Sequence, residues 1–250
     1  MSSITIFSAA QNNQLYLVRS LLEQDRKLLN AVDGDGRTAI HWAALSVDGV
    51  DIIKYLLEQQ AEVDKVDPSG WTALHLAASA GHEANVRALL DGGADPKRGN
   101  DKGLTALSGH VVLALKVPRS AGPLQIGRLL LSRGADVNAR DKANQLPLHR
   151  AATTGSEGFM KLLLDPPKAD DNKPSVKPRL NTADRAGNTP LHLAIESGHA
   201  AAAVLLIEAG ADRSRVNLDD QMPEQLEGVG GQEQRRVRIY IVDRCGPAPT

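Results

Sequence analysis

The stretch Gly70-Trp71-Thr72-Ala73-Leu74-His75-Leu76-Ala77-Ala78 decides how the 250-residue chain folds. Thr72 is a residue type that accepts hydrogen bonds from the exposed N–H groups at a helix start. The apolar residues and alanines after it describe a short, closely packed helix. The same pattern stands at Gly36-Arg37-Thr38-Ala39-Ile40-His41-Trp42-Ala43-Ala44. It returns at Asn144-Gln145-Leu146-Pro147-Leu148-His149-Arg150-Ala151-Ala152 and at Gly187-Asn188-Thr189-Pro190-Leu191-His192-Leu193-Ala194-Ile195. Pro147 and Pro190 fall at the first helical position, where the missing N–H is harmless. Leu146 stands where the other copies cap with Thr, a loss of about 1 kcal/mol.

A second motif trails the first. Leu89-Leu90 precedes Gly93-Ala94-Asp95, Leu130-Leu131 precedes Gly134-Ala135-Asp136, and Leu205-Leu206 precedes Gly210-Ala211-Asp212. The leucines belong to a second helix, and the glycines suit the left-handed turn that ends it. One such unit cannot bury its apolar face alone, so the units must stack.

Together the two motifs resemble the ankyrin repeat, with its period of about 33 residues and its Thr-Pro-Leu-His-x-Ala core. The resemblance implies an all-α solenoid of about seven helix-turn-helix repeats with atypical terminal caps. Approximate repeats are 4–33, 34–67, 68–100, 101–141, 142–184, 185–217 and a cap at 218–245, in one repeat domain from 1 to 250. Histidine spacing locates the irregularities. His41 to His75 is 34 residues, His75 to His149 is 74, and His149 to His192 is 43. Against a period of about 33, the second spacing holds a repeat whose histidine slot is Ser108 and about 8 further residues. The segment from Ser108 to Pro123 does not read as a first helix followed by a turn. The third spacing holds about 10 extra residues after Leu164. The prolines Pro166, Pro167, Pro174 and Pro178 make that insertion an exposed, semi-extended loop.

Composition narrows the function. The 29 basic and 30 acidic residues nearly cancel, so the phosphate-neutralising excess of a nucleic-acid binder is missing. No apolar run reaches the roughly 20 residues of a membrane helix, and the N-terminal residues do not read as a secretory signal. Cys245 is the single cysteine, which fits a reducing compartment. A monomer in the cytoplasm and nucleus is expected, with no nucleic acid or membrane as partner. His41, His75, His149 and His192 recur one per repeat rather than in one cluster, so they read as structural. His82 and His199 sit at matching repeat positions and read likewise. His110 lacks companions at metal-ligand spacing. Phosphate-binding glycine patterns and a nucleophile elbow are lacking. No enzyme, cofactor or metal is expected. Arg235-Arg236-Val237-Arg238 reads as a solvated face of the last helix.

The turns before each first helix remain as a binding surface. They carry Asp33, Asp35 and Arg37, then Asp67 and Trp71, then Asp101, Lys102 and Leu104, then Asp141 and Lys142, then Asp184, Arg185 and Asn188. Mixed charge along this row suits a partner chosen by complementarity. It also suits a soluble surface with no partner. Trp71 replaces a usually polar position and is the stronger contact candidate. Trp42 fits burial between repeats equally well.

The quoted segments and the seven-repeat length are also similar to gankyrin and its fungal counterparts. That resemblance implies an assembly chaperone for the proteasome regulatory particle. It would bind the C-terminal domain of a base AAA-type ATPase subunit through a concave face. The candidate contacts are Asp35, Arg37, Trp42, Trp71, Lys102, Leu104, Arg150 and Arg185; of these the resemblance implies Arg37, at the family's charge-pairing position, and Trp71 also matches the family. Leu193-Ala194-Ile195-Glu196-Ser197 replaces the Leu-x-Cys-x-Glu of animal members, so retinoblastoma binding is not implied. The alternative is an ankyrin regulator of a cell-cycle kinase or a transcription factor.

Overall fold

The computed structural model describes residues 4–113, 122–168, 176–226 and 231–248. Among them the chain is helical, and its contacts divide it into two compact units, Met1–His110 and Val111–Thr250. The boundary lies inside the repeat whose histidine slot holds Ser108.

Unit 1 begins with α1 (Ile6–Gln11) and α2 (Leu15–Gln24). The pairs α3 (Ala39–Leu45) with α4 (Val50–Glu58) and α5 (Ala73–Ala80) with α6 (Glu83–Asp91) follow. First helices stack on first helices, α1 on α3 on α5, and α4 packs on α6. Ala9, Ala10, Ala43, Ala44, Ala77 and Ala78 are buried, and their small side chains let these axes approach closely. Ile52, Ile53, Leu56, Val86 and Leu89 fill the space between the layers.

The next helix, α7 (Ala106–Leu113), corrects the sequence reading of the fourth repeat. A first helix does form there. Thr105 and Ser108 stand in for the Thr–His pair, with their hydroxyls 3.3 Å apart and the Ser108 N–H donating to Thr105 Oγ1. The side chain of His110 and residues 114–121 lie outside the described residues.

Unit 2 contains α8 (Gly122–Ser132), α9 (Pro147–Thr154), α10 (Glu157–Leu164), α11 (Pro190–Glu196), α12 (Ala200–Glu208) and α13 (Gln232–Cys245). Here α9 packs on α11, and α8, α10 and α12 follow one another. Phe159, Met160, Leu163, Ile195 and Leu206 are buried between the layers. In the insertion after Leu164, Asn138 fixes the returning chain: its side chain donates to the Lys177 carbonyl and accepts from the Arg179 N–H. The prolines 166, 167 and 178 lie in non-helical backbone, and Pro174 lies outside the described residues.

The C-terminal helix is tied down by a buried cation. Arg213 pairs with Glu224 at 2.6 Å and donates to the Gly246 carbonyl at 2.9 Å. Along α13, Gln234, Val237 and Ile241 face the core, while Arg235 and Arg236 are exposed. Arg238 is half-buried and donates to the carbonyls of Glu224 and Leu226. The arginine run is thus partly solvated and partly anchoring.

The four motif histidines share one arrangement. Each Nε2 faces a main-chain carbonyl of the following repeat: His41 to Trp71, His75 to Leu104, His149 to Asn188 and His192 to Gln221, at 2.9–3.2 Å. A carbonyl only accepts, so Nε2 carries the proton and Nδ1 is the acceptor. Nδ1 takes the N–H of Thr38, Thr72, Leu146 or Thr189 at the start of its own helix. In the three Thr copies the hydroxyl lies 2.8 Å from the same nitrogen. His82 and His199 make a related tie, donating to the carbonyls of Leu45 and Thr153 in the preceding repeats.

Burial holds all four motif imidazoles below their ordinary pKa, against the neighbouring carbonyls that favour the charged form. The unfolded chain, with ordinary histidines near pH 6.5, therefore takes up protons first as pH falls. Their stabilisation is complete above about pH 6.5 and declines below it. We expect the urea midpoint to be flat from pH 7.5 to 8.5 and to fall steadily from pH 7 to 5. A midpoint constant over that lower range would contradict neutral, buried imidazoles.

Candidate functional site

Each turn before a first helix begins with an Asp or Asn whose side chain shapes it. Asp33 Oδ1 accepts the N–H groups of Asp35 and Arg37, both at 2.9 Å. Asp67 does the same for Ser69 and Trp71, and Asn100 for Lys102 and Leu104. In unit 2, Asp141 holds Ala143 and Gln145, Asp184 holds Ala186 and Asn188, and Asn217 holds Asp219 and Gln221. These bonds curl the chain into a finger whose fourth residue must adopt positive φ. Glycine fills that place at Gly36, Gly70, Gly103 and Gly187, and Asn144 and Asp220 take it in the others. At Gly70 an added Cβ would lie 2.6 Å from the main-chain nitrogen of Asp101 on the next finger, so the place is closed sterically as well.

Asp67 and Asp141, read from sequence as part of the mixed-charge surface, are buried. The physical reason is that their carboxylates point inward to bind the turn. Asn100 and Asn217 do the same work and were not among the residues singled out. Their signal was available: each finger starts with Asp or Asn five residues before the helix cap.

In unit 1 the candidate contacts form a connected group. Trp42 Nε1 donates to Asp33 Oδ2 at 2.6 Å. The Arg37 guanidinium lies 5.3 Å from the Trp42 ring centroid and pairs with Asp67 at 3.4 Å. Arg37 is half-buried while Asp67 is nearly sealed, with side-chain exposures of 27% and 6%. Burial acts to raise the Asp33 pKa. The N–H of Arg37, the Trp42 indole, the N–H of Asp35 and the Arg37 charge outweigh it, and the carboxyl is held below its ordinary value. Trp71 is half-buried and meets the edge of His75, with ring centroids 5.8 Å apart. Leu104 is half-buried, and its carbonyl is the acceptor for His75. Asp35 and Lys102 are exposed.

In unit 2, Arg150 occupies the helix position that Trp42 holds in unit 1. It reaches back to Asp141 Oδ2 as Trp42 reaches Asp33. Its Nε is buried with no acceptor among the described residues. Arg185 is exposed at the tip of its finger. The eight candidates therefore fall into three kinds. Arg37, Trp42 and Arg150 are engaged by carboxylates of their own unit, and Trp71 and Leu104 are half-buried in the finger row. Asp35, Lys102 and Arg185 point into solvent. Among the described residues, no group of three or more His, Cys, Asp or Glu is placed to share a metal ion, and no helix is long and apolar enough to cross a membrane.

Comparison with known proteins agrees with this geometry. A family model for ankyrin repeats in three copies matches residues 6–108 and 113–217. The probable 26S proteasome regulatory subunit p28 of Saccharomyces cerevisiae is 34% identical over 240 residues, covering 94% of this chain and 96% of that protein. The mouse B-cell lymphoma 3 protein homolog is 28% identical over 223 residues, but this chain spans only 46% of it. Among solved structures, the ankyrin repeat domain of Bcl-3 superposes with a TM-score of 0.73 at 26% identity, covering 90% of this chain and 93% of that one.

The geometry assigns Asp67 a structural load. Asp67→Ala removes the acceptor for two turn N–H groups and leaves the Arg37 guanidinium without its carboxylate. We expect a loss of about 2–4 kcal/mol in urea unfolding, with a changed tryptophan emission from the adjacent Trp71. A change below about 0.5 kcal/mol, the range of an ordinary surface substitution, would refute that role.

Proposed function

The chain belongs to the ankyrin-repeat family, and within it to the gankyrin-type group of the yeast p28 protein; from that premise we propose that it is a non-catalytic assembly chaperone of the proteasome regulatory particle. Its partner is the C-terminal domain of a base AAA-type ATPase subunit, met in the cytoplasm and nucleus by a monomeric chain. The observation that carries the reading is the end-to-end match to p28, which aligns 96% of that protein with 94% of this one. A shared repeat alone would align part of a larger protein, as with the B-cell lymphoma 3 homolog.

The binding surface is the finger and first-helix face of each unit. Its exposed charges Asp35, Lys102 and Arg185 select the partner by complementarity. Its half-buried aromatics Trp42 and Trp71, residue types enriched at binding hot spots, supply apolar area. Arg37 and Arg150 reach the same face already oriented by Asp67 and Asp141. A guanidinium fixed before binding loses less side-chain freedom when the partner arrives.

Affinity purification from cell extract tests the partner class. Recovery of proteasome base ATPases is expected. Recovery of kinases or transcription factors without them would favour the regulator reading. Point variants test the surface. Arg37→Glu would place a carboxylate against Asp67 and disturb the fold as well as the contact, so the exposed positions are the cleaner probes. Lys102→Glu and Arg185→Glu should each weaken binding to the ATPase C-terminal domain by about threefold to tenfold, with unchanged far-UV dichroism. Added salt should weaken the wild type in the same direction. Full binding by both variants in a pull-down would sink the proposed face.

A further inference from the structure

The last helix of unit 2 is packed on one face and bare on the other. Second helices pack in succession along α8, α10, α12 and α13. Gln234, Val237 and Ile241 turn toward that layer and are buried. At about 100° per residue, Ile239 stands nearly opposite them. It is 65% exposed, and Val242 and Tyr240 to either side of it are 46% and 38% exposed. Three large apolar side chains within four residues make a patch, unlike the single apolar residues scattered over an ordinary surface.

The charges around Ile239 are ordered. Arg235 and Asp243 stand four residues before it and four residues after it, so the three form one ridge along the helix. Both charged residues are exposed, and neither has an ion pair among the described residues. The other charged side chains of α13 are engaged. Arg236 lies 3.9 Å from Glu233, Arg238 donates to the carbonyls of Glu224 and Leu226, and Arg244 lies over the Tyr240 ring at 5.6 Å. A base, an apolar residue and an acid at equal spacing are complementary to the same ridge run backwards.

We propose that the bare face of α13 is a self-association surface whose occupant is the α13 of a second copy of this chain. The two helices run antiparallel about a two-fold axis at Ile239. Ile239 meets its own copy, and Arg235 of each chain meets Asp243 of the other, so the ion pair forms twice. A parallel pairing would set Arg235 against Arg235 and Asp243 against Asp243. Ridges of four-residue spacing interdigitate in the commonest class of helix packing, and an isologous contact closes at two chains. Three turns of one helix bury less than the roughly 800 Å² per partner of a standard interface. The dimer is therefore weak and forms only at high concentration, and the dilute chain is the monomer of the proposed function. None of the finger residues lies on α13.

Sedimentation equilibrium of the full chain from about 1 μM to about 1 mM spans the affinities of such weak contacts. The expected result is a mass that rises from one chain toward two. Arg235→Glu and Asp243→Arg each set like charges together and should weaken the association by about tenfold or more. Combined in one chain they exchange the signs of both partners, and association should return to within about threefold of the wild type. Ile239→Ser should abolish the rise in mass. All three positions are exposed, and far-UV dichroism checks that the helix is kept. A mass of one chain at every concentration would overturn the proposal. So would single reversals that leave association unchanged, or a combined variant no better than the single ones. A chain that stays monomeric yet sediments with vesicles of phosphatidylserine and phosphatidylcholine would give the face to a lipid surface and overturn it as well.

Discussion

The structure depends on one constraint: an imidazole that must stay neutral while touching two repeats. Its Nδ1 satisfies the first N–H of its own helix, and its Nε2–H satisfies a carbonyl in the next finger. A charged ring would turn Nδ1 into a donor facing another donor. Burial enforces the neutral form at His41, His75, His149 and His192. The same burial would make an unsatisfied ring nitrogen expensive, by about 1–3 kcal/mol. Each histidine therefore fixes the cap, the finger and the spacing between repeats at once, which no aliphatic residue in that slot could do.

Much else follows from that spacing. Close stacking of first helices favours small residues: Ala9-Ala10, Ala43-Ala44, Ala77-Ala78 and Ala151-Ala152 are buried pairs, and Ala194 is buried beside Ile195. Fingers brought this near one another leave no room for a Cβ at Gly70 or Gly187. The inward carboxylates of Asp67 and Asp141 then find cations or N–H groups rather than water, which is how charged residues come to be buried in a fold of this kind.

The repeats were legible because the bonds that build them run between residue types at fixed spacing. Thr-x-x-His, Ala-Ala and Gly-Ala-Asp each encode a local geometry. The fourth repeat was misread for the same reason. Ser108 takes the histidine slot, so the segment after it did not read as a first helix, yet Thr105 and Ser108 still cap α7. A helix needs a cap, not a particular cap. Asp67 and Asp141 were read as surface because finger residues are usually polar and exposed. Only the structure shows that Oδ1 bonds main-chain N–H groups two and four residues ahead. The Arg213–Glu224 pair that fastens α13 had no sequence signal, since its partners come together through the fold of the terminal cap.

The split among the candidate contacts bears on how such a surface can recognise anything. A residue that holds a finger in shape cannot vary freely with the partner. Asp33, Asp67 and Asp141 are bound by that duty, and Arg37, Trp42 and Arg150 are partly bound through them. In the proposed binding surface, specificity falls to the positions that the turns expose without using, such as Asp35, Lys102 and Arg185. On the proposed reading, a partner of unit 1 would meet Asp35 and Lys102 on separate fingers, as charge at repeat spacing rather than as a pocket. The engaged arginines add cations held by buried carboxylates, Arg37 by Asp67 and Arg150 by Asp141.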